Sequence, residues 1–194
     1  MVVGVLALQG GFHAHRQVLD ELGVASREVR LAEDLDGLDA LILPGGESTT
    51  MLKLMEAFDL FEPIDAFARL GAPILGTCAG AILMASRVSH PRQPSFGWIP
   101  AGIERNAYGT QQDSFQTEIA IPRWDLTALP VLFIRAPRFV DPDPGCAVLS
   151  TFEGRVTGLS YRHFTAVTYH PELGGTTRFH QAWLARSLAK VAAG

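Results

Sequence analysis

Short runs of apolar residues, separated by amphipathic stretches, constrain this chain more than any other feature. Residues 2–8 (VVGVLAL), Ala40-Leu41-Ile42-Leu43 and Pro73-Ile74-Leu75 carry no charge, and the last two are followed at once by Pro44-Gly45-Gly46 and by Gly76. A strand with one face in water alternates apolar and polar residues, whereas a strand apolar at every position has to be covered on both faces. Between the runs, Phe12, Val18, Leu19 and Leu22 share a helix-compatible face that Gly23 ends, and residues 24–29 form a further strand candidate. Ser48 or Thr49 is placed to cap a helix carrying Met51, Leu52, Leu54 and Met55, and residues 58–70 predict another helical segment, interrupted by Pro63. This alternation predicts an α/β fold with a central, mostly parallel sheet between helices, a fold whose ligands gather at the carboxyl ends of the strands.

The second half is built of shorter units. Residues 86–97 are rich in polar and turn-forming residues and predict a loop, while 115–121, 131–134, 147–152, 156–159 and 165–169 predict short strands, some of them antiparallel additions. Thr176-Thr177 opens a final helix whose Phe179, Trp183 and Leu184 can pack on the sheet. With 194 residues, 47% of them hydrophobic, the chain suffices for one sizeable core and is short for two, so a single domain over residues 1–194 is expected.

Charge and cysteine usage exclude several function classes. The 16 basic and 20 acidic residues give a net charge of -4 with no basic arm, so nucleic acid is not an expected partner. The apolar N-terminus lacks a basic leader and is far shorter than the roughly 20 residues of a spanning helix. A soluble, cytoplasmic protein with no membrane partner is expected. Cys78 and Cys146 allow one disulfide, but a core this large does not need one, and both are expected as free thiols. No cysteine-histidine spacing suits zinc, and no metal site is expected. His13 and His15, two apart at a helix start, do not share a face, so solvent or packing roles are expected of them.

Two motifs carry chemistry. Cys78 sits in Gly76-Thr77-Cys78-Ala79-Gly80 straight after an apolar run, and His170-Pro171-Glu172 follows another. A cysteine at a strand-to-helix turn raises its sulfur above the sheet, and a nearby imidazolium or helix N-terminus favours the thiolate. Ala79 and Gly46 could present backbone amides to a developing oxyanion, and Glu172 could orient His170. Alone, Cys78 would read as a small buried hydrophobe and His-Pro-Glu as a surface turn; the pair together favours a thiol nucleophile with a histidine base.

These motifs resemble those of class I glutamine amidotransferases. Leu8-Gln9-Gly10, Pro44-Gly45-Gly46-Glu47-Ser48-Thr49-Thr50, Glu104-Arg105-Asn106-Ala107-Tyr108-Gly109 and Phe133-Ile134-Arg135-Ala136-Pro137 narrow the resemblance to the glutaminase subunits of pyridoxal 5'-phosphate synthase, the PdxT/SNO family. Two departures stand out: Thr110 replaces the arginine that commonly follows Asn-Ala-Tyr-Gly, and Ser95-Phe96-Gly97-Trp98 replaces His-Leu-Gly-Leu. The resemblance implies a three-layer α/β/α sandwich around a mixed, mostly parallel sheet, and a hydrolysis of L-glutamine to glutamate and ammonia through a cysteine thioester. It implies Cys78 as nucleophile, His170 as base and acid, Glu172 as orienter, and Gly46 and Ala79 as oxyanion donors. Gly46, Glu47, Ser48, Arg105, Ile134 and Arg135 would contact glutamine, with Glu47 meeting its ammonium and an arginine its carboxylate. Gln9 would help arrange the oxyanion site when the partner docks. That partner is a synthase of the PdxS family, in a complex of about twelve copies of each chain on the family pattern; the glutaminase itself needs no cofactor. Outside the resemblance, the favoured reading of Glu47, Arg105 and Arg135 is as surface salt-bridge residues and of Gln9 as a strand end. A cysteine-dependent peptidase or stress hydrolase, or a nonenzymatic interaction subunit, are the alternative readings.

Overall fold

The computed structural model describes residues 1–105, 107 and 114–191. Asn106, Tyr108, Gly109 and Thr110, part of the motif read from the sequence, lie outside the described residues. The chain begins with β1 (Val2–Leu6), α1 (Phe12–Glu21), β2 (Ala25–Val29), β3 (Ala40–Leu43), α2 (Ser48–Ala57), α3 (Phe61–Arg69), β4 (Ile74–Thr77) and the short α4 (Ala79–Met84). It continues with β5 (Ala85–Ser89), β6 (Ile99–Glu104), β7 (Ser114–Ile121), β8 (Leu126–Ile134) and β9 (Arg138–Val140), then β10 (Ala147–Phe152), β11 (Arg155–Tyr161), β12 (Phe164–Val167) and α5 (Arg178–Val191).

Among the described residues the central sheet has the order β10-β11-β12-β4-β3-β1-β2. From β12 to β2 all neighbours are parallel, and β10 and β11 extend the edge antiparallel. Alternation along each parallel strand sends apolar residues to both faces, as the unbroken runs predict. Val3, Val5, Ala40, Ile42, Leu75 and Val167 pack with Leu19 of α1 and Phe179 and Trp183 of α5. Leu6, Leu41, Leu43, Ile74 and Ala166 pack on the other face with Met51 and Met55 of α2, Ile64 and Phe67 of α3, and all of α4 except the helical Gly80. The architecture is the expected three-layer α/β/α sandwich. Leu41, Ile42 and Leu43 have no solvent exposure, and each full burial of this kind contributes roughly 1.5–3 kcal/mol.

Several local expectations are corrected. The cap of α2 is Glu47, whose carboxylate accepts the Thr49 and Thr50 backbone N–H groups, and Ser48 and Thr49 are already helical. Pro63 does not interrupt a helix. The break lies at residues 58–60, where Asp59 has φ +50, and Pro63 falls in the first turn of α3, where a missing N–H costs no helical hydrogen bond. The loop expected at 86–97 begins with β5, which pairs with β6 and through it with β9. This small sheet buries Val88, Ile99, Ala101, Ile103 and Phe139 against the α2–α4 side. Its strands are short and polar on the other face, so their signal resembles that of a turn-rich stretch. The run at 131–134 is the end of the longer β8, which forms a hairpin with β7 on the α1–α5 side.

Candidate active site

Four adjacent parallel strands, β12, β4, β3 and β1, end at one edge of the sheet, and a piece of the site follows each. Gln9 comes after β1, Gly45-Gly46-Glu47 after β3, Cys78 after β4 and His170 after β12. At the end of β4 the chain turns abruptly: Cys78 has φ +47 and ψ -101, a conformation that costs a non-glycine residue of order 1–3 kcal/mol. The turn is held from both sides, by the Cys78 N–H on the Val167 carbonyl at 2.9 Å and the Ile82 N–H on the Cys78 carbonyl at 3.2 Å. Gly80 lets α4 start here, since a Cβ at that position would stand 2.0 Å from the Leu43 carbonyl oxygen.

His170 is anchored by a bridge to β8, its N–H 2.8 Å from the Leu132 carbonyl. The same bridge explains how Ile134 and Arg135, so distant in sequence, come to the site. The Cε1 edge of the His170 ring faces Gly45, where any Cβ would fall 2.2 Å from Cε1. Its Nδ1 is 2.7 Å from Glu172 Oε1, and the ring lines the same cavity as the Cys78 side chain. Burial opposes charge on His170, but the hydrogen bonds and charges of Cys78 and Glu172 outweigh it and push the imidazole up to about 10. Burial likewise opposes charge on Glu172; the His15 ring, together with the hydrogen bond and charge of His170, holds it down at about 2. The buried pair is therefore an imidazolium-carboxylate at neutral pH. The Cys78 sulfur, 6% exposed with its residue, lies 3.9 Å from the Ile134 carbonyl oxygen.

In front of Cys78 and His170 lies a cavity of about 290 Å³. Gln9, Gly46, Glu47 and Ser48 line it from the β1 and β3 ends, Ile82 from α4, and Arg105, Ile134 and Arg135 from the far side. The expected substrate-contacting residues thus converge. Ala79 is fully buried at the start of α4, and Glu172 stands behind His170; neither lines the cavity. Cavity size alone does not select this site, since one of about 460 Å³ between α2 and α3 is lined by Leu52, Met55, Phe61 and acidic residues and contains no thiol or imidazole.

At the mouth, Arg105 Nη2 donates to Glu47 Oε1 at 2.9 Å. Glu47 also accepts the Thr49 and Thr50 hydroxyls at 2.8 and 3.1 Å and the Thr50 N–H at 2.9 Å. Although partial burial resists it, these hydrogen bonds, led by Thr49, bring its carboxyl down to about 2. Gln9 Oε1 accepts the Glu47 backbone N–H at 2.8 Å, beside Gly46. Ser48 donates to Gln93 Oε1 at 2.9 Å.

Sequence reasoning missed the layer beneath the triad. His15, expected to serve only for packing or solvation, is completely buried, with Nδ1 2.9 Å from His180 Nε2 and Nε2 3.1 Å from Thr77 Oγ1. Its Nε2 is 3.6 Å from Glu172 Oε2. A histidine in register with the apolar face of α1, three residues after Phe12 and four before Leu19, was the available signal. Cys78 and Cys146 are free thiols, as expected. Among the described residues no group of three or more His, Cys, Asp or Glu is arranged to hold a metal, and no helix is long and apolar enough to cross a membrane.

This fold, with a cysteine elbow and a buried His-Glu pair at the strand ends, is the glutamine amidotransferase architecture. A solved structure described as a glutamine amidotransferase matches 96% of this chain and 99% of its own with a TM-score of 0.90 and 39% identity. The chain belongs to the SNO glutamine amidotransferase family, whose model matches residues 5–190. Relatives named pyridoxal 5'-phosphate synthase subunit PdxT include one from Deinococcus radiodurans, 44% identical over 189 residues covering 95% of this chain and 96% of its own. Another, from Corynebacterium diphtheriae, is 44% identical over 187 residues covering 95% and 99%.

Proposed function

We propose that this protein is the glutaminase subunit of a pyridoxal 5'-phosphate synthase, releasing ammonia from L-glutamine for a separate synthase chain. The observation that carries the reading is the buried His170-Glu172 pair, 2.7 Å apart, set behind Cys78 in a cavity whose mouth carries both an arginine and a carboxylate. A free amino acid bears both charges, and a generic peptidase has no need of such a mouth.

In this reading the Cys78 sulfur attacks the side-chain amide carbon of glutamine, forming a C–S bond while the carbonyl oxygen takes negative charge. The backbone amides of Gly46 and Ala79 receive that oxyanion. The His170 imidazolium protonates the departing nitrogen as the C–N bond breaks, and ammonia leaves a glutamyl thioester. His170, now neutral, takes a proton from water as the water oxygen attacks the thioester; the C–S bond breaks, glutamate departs, and the thiolate is left beside the imidazolium as at the start. Glu172 holds the His170 ring in orientation throughout. Glu47 and Arg105 meet the α-ammonium and α-carboxylate, with Ser48, Ile134 and Arg135 completing the pocket, and Gln9 arranges the oxyanion amides when the synthase docks.

The chain acts as one domain in the cytoplasm, within an assembly of twelve glutaminase and twelve synthase chains of the PdxS family. The test combines the purified protein with its cognate synthase and measures glutamate, ammonia and pyridoxal 5'-phosphate. Glutamine hydrolysis should rise as synthase is added, and supplied ammonium should let the synthase form product alone. No rise at saturating complex formation removes partner activation, and failure of ammonium to replace glutamine removes the ammonia-donor role. The mass of the complex in sedimentation checks the stoichiometry.

A further inference from the structure

Behind the triad, four side chains from separate elements form one buried polar chain: His180 of α5, His15 of α1, Thr77 of β4 and Glu172. His15, Thr77 and His180 have no solvent exposure. Two polar atoms in this chain have no hydrogen-bond partner, Glu172 Oε2 and His180 Nδ1. Desolvation keeps both imidazoles neutral: it lowers His15, against the pull of Glu172, and it lowers His180 to about 3.

A neutral imidazole carries one proton, so the chain has two possible tautomers. If His15 Nδ1–H donated to His180 Nε2, then His180 Nδ1–H would be a buried donor with no acceptor. At the same time the bare His15 Nε2 lone pair would face the Glu172 carboxylate at 3.6 Å. Both penalties vanish in the other arrangement. His180 Nε2–H donates to His15 Nδ1 at 2.9 Å, and His15 Nε2–H points at Thr77 Oγ1, 3.1 Å away, with Glu172 Oε2 just beyond. The atoms that remain unpaired are then both acceptors, the bare Nδ1 of His180 and Glu172 Oε2, and the second has the His15 N–H 3.6 Å away.

We propose that His15 is a positioning residue for the reaction: fixed in one tautomer by His180, it turns its Nε2–H dipole toward the free oxygen of Glu172 and holds that carboxylate in the orientation that aligns His170. The inference rests on the assignment of Cys78, His170 and Glu172 above. The titratable groups facing Glu172 are His170 on one side and His15, backed by His180, on the other. Loss of the His15 dipole raises the Glu172 carboxyl, so protonation of Glu172, and with it loss of the imidazolium's counter-charge, begins at higher pH.

Two variants of similar polarity separate this role from packing. In His15→Gln the side-chain amide nitrogen takes the place of Nε2, whereas in His15→Asn the amide reaches only the place of Nδ1, where its oxygen accepts from His180. In the complex with cognate synthase, His15→Gln should keep kcat within about threefold of the unmodified chain, while His15→Asn should lose about 10- to 100-fold with KM for glutamine unchanged, the range typical of groups that orient a reacting side chain. The acid limb of the pH-rate profile should move to higher pH only in His15→Asn. Equal kcat and equal acid limbs in the two variants, or the reverse order, overturn the proposal. Cys78→Ala run beside them tests the underlying assignment, since turnover there defeats the catalytic reading itself and not the His15 role. Nitrogen-15 imidazole shifts of the unmodified protein decide the matter without any variant: Nε2–H on both His15 and His180 supports the proposal, and Nδ1–H on His15 overturns it.

Discussion

The mouth of the cavity and its floor both pair charged or polar side chains, but under different conditions. Glu47 at the mouth is 44% exposed in its side chain, and its partner Arg105 comes from a distant segment at 2.9 Å. Water reaches the Glu47 side of the pair, so it can open there to admit a zwitterion. At the floor, Glu172 and His15 have no side-chain exposure, and a group left unpaired there bears its full desolvation penalty. The contrast teaches a division of labour. On the proposed function, exchangeable pairs meet substrate and locked pairs hold the catalytic base.

The largest effect should follow removal of the nucleophile. Cys78→Ala should lower glutamine hydrolysis in the complex by about 10⁴-fold or more, while its melting temperature stays near that of the unmodified chain. Unchanged turnover would break the assignment of the floor as a catalytic support. Next, Glu172→Gln keeps the shape of the floor and removes its charge; kcat should fall by about 10²- to 10⁴-fold, as when an orienting carboxylate loses its charge beside a catalytic histidine. If kcat held and only KM rose, Glu172 would belong with the mouth.

At the mouth the effects should be smaller and of another kind. Arg105→Ala should raise KM for glutamine by about 10- to 100-fold, the worth of a charge-assisted hydrogen bond, with kcat little changed. A capped glutamine analogue lacking both α charges should show no such change, and an equal loss with both substrates would contradict charge recognition. Glu47 needs a more careful substitution, because Glu47→Ala also removes the cap of α2, at a cost of about 1 kcal/mol. Glu47→Gln retains an oxygen for the helix N–H groups and isolates the loss of charge.

The smallest effect concerns stability against pH, and its part near neutrality should come from the histidines of the floor. His180, held at about 3, and His15, also lowered, refuse protons that the unfolded chain accepts below pH 6.5, so stability falls as pH drops from 6.5. Glu172, held at about 2, adds stability above 4.5 that disappears as pH falls toward 2. His170, raised to about 10, adds stability that is complete below 6.5 and is lost as pH rises through 10. Melting temperature should therefore peak near pH 6.5, and His180→Phe should flatten the acid side. A profile unchanged by that substitution would mean that His180 is not buried neutral.

Much of the fold was legible because the inner parallel strands β1 and β3 and the start of β4 are apolar at every position. Residues 40–43 and 74–75 can only be covered on both faces, and from this the three layers and the placing of ligands at strand ends follow. The small sheet of β5, β6 and β9 was not legible, since Ser86, Arg87, Pro100 and Gly102 interrupt any apolar period. Glu47 as a cap was hidden for a similar reason: its long side chain has to fold back onto Thr49 and Thr50, and the usual capping residues follow immediately.

The same division runs through the site. Cys78 between glycines, and His170 two residues before Glu172, are local patterns whose chemistry depends on residue type and short spacing, so the sequence by itself determined the nucleophile and base candidates. The motif resemblance carried that reading on to Arg105, Ile134 and Arg135, and the structure brings all three to the one cavity. Only the tertiary structure decided that Arg105 closes on Glu47, that Gly45 must lack a side chain beside the His170 ring, and that His15 and His180 lie behind Glu172. These depend on contacts between residues 58 to 165 positions apart, formed where separate strand ends and helices meet at one edge of the sheet. Nothing in the local pattern of a histidine on α1 encodes the carboxylate it will face. That is set by the order of the parallel strands, which brings the ends of β4 and β12 together.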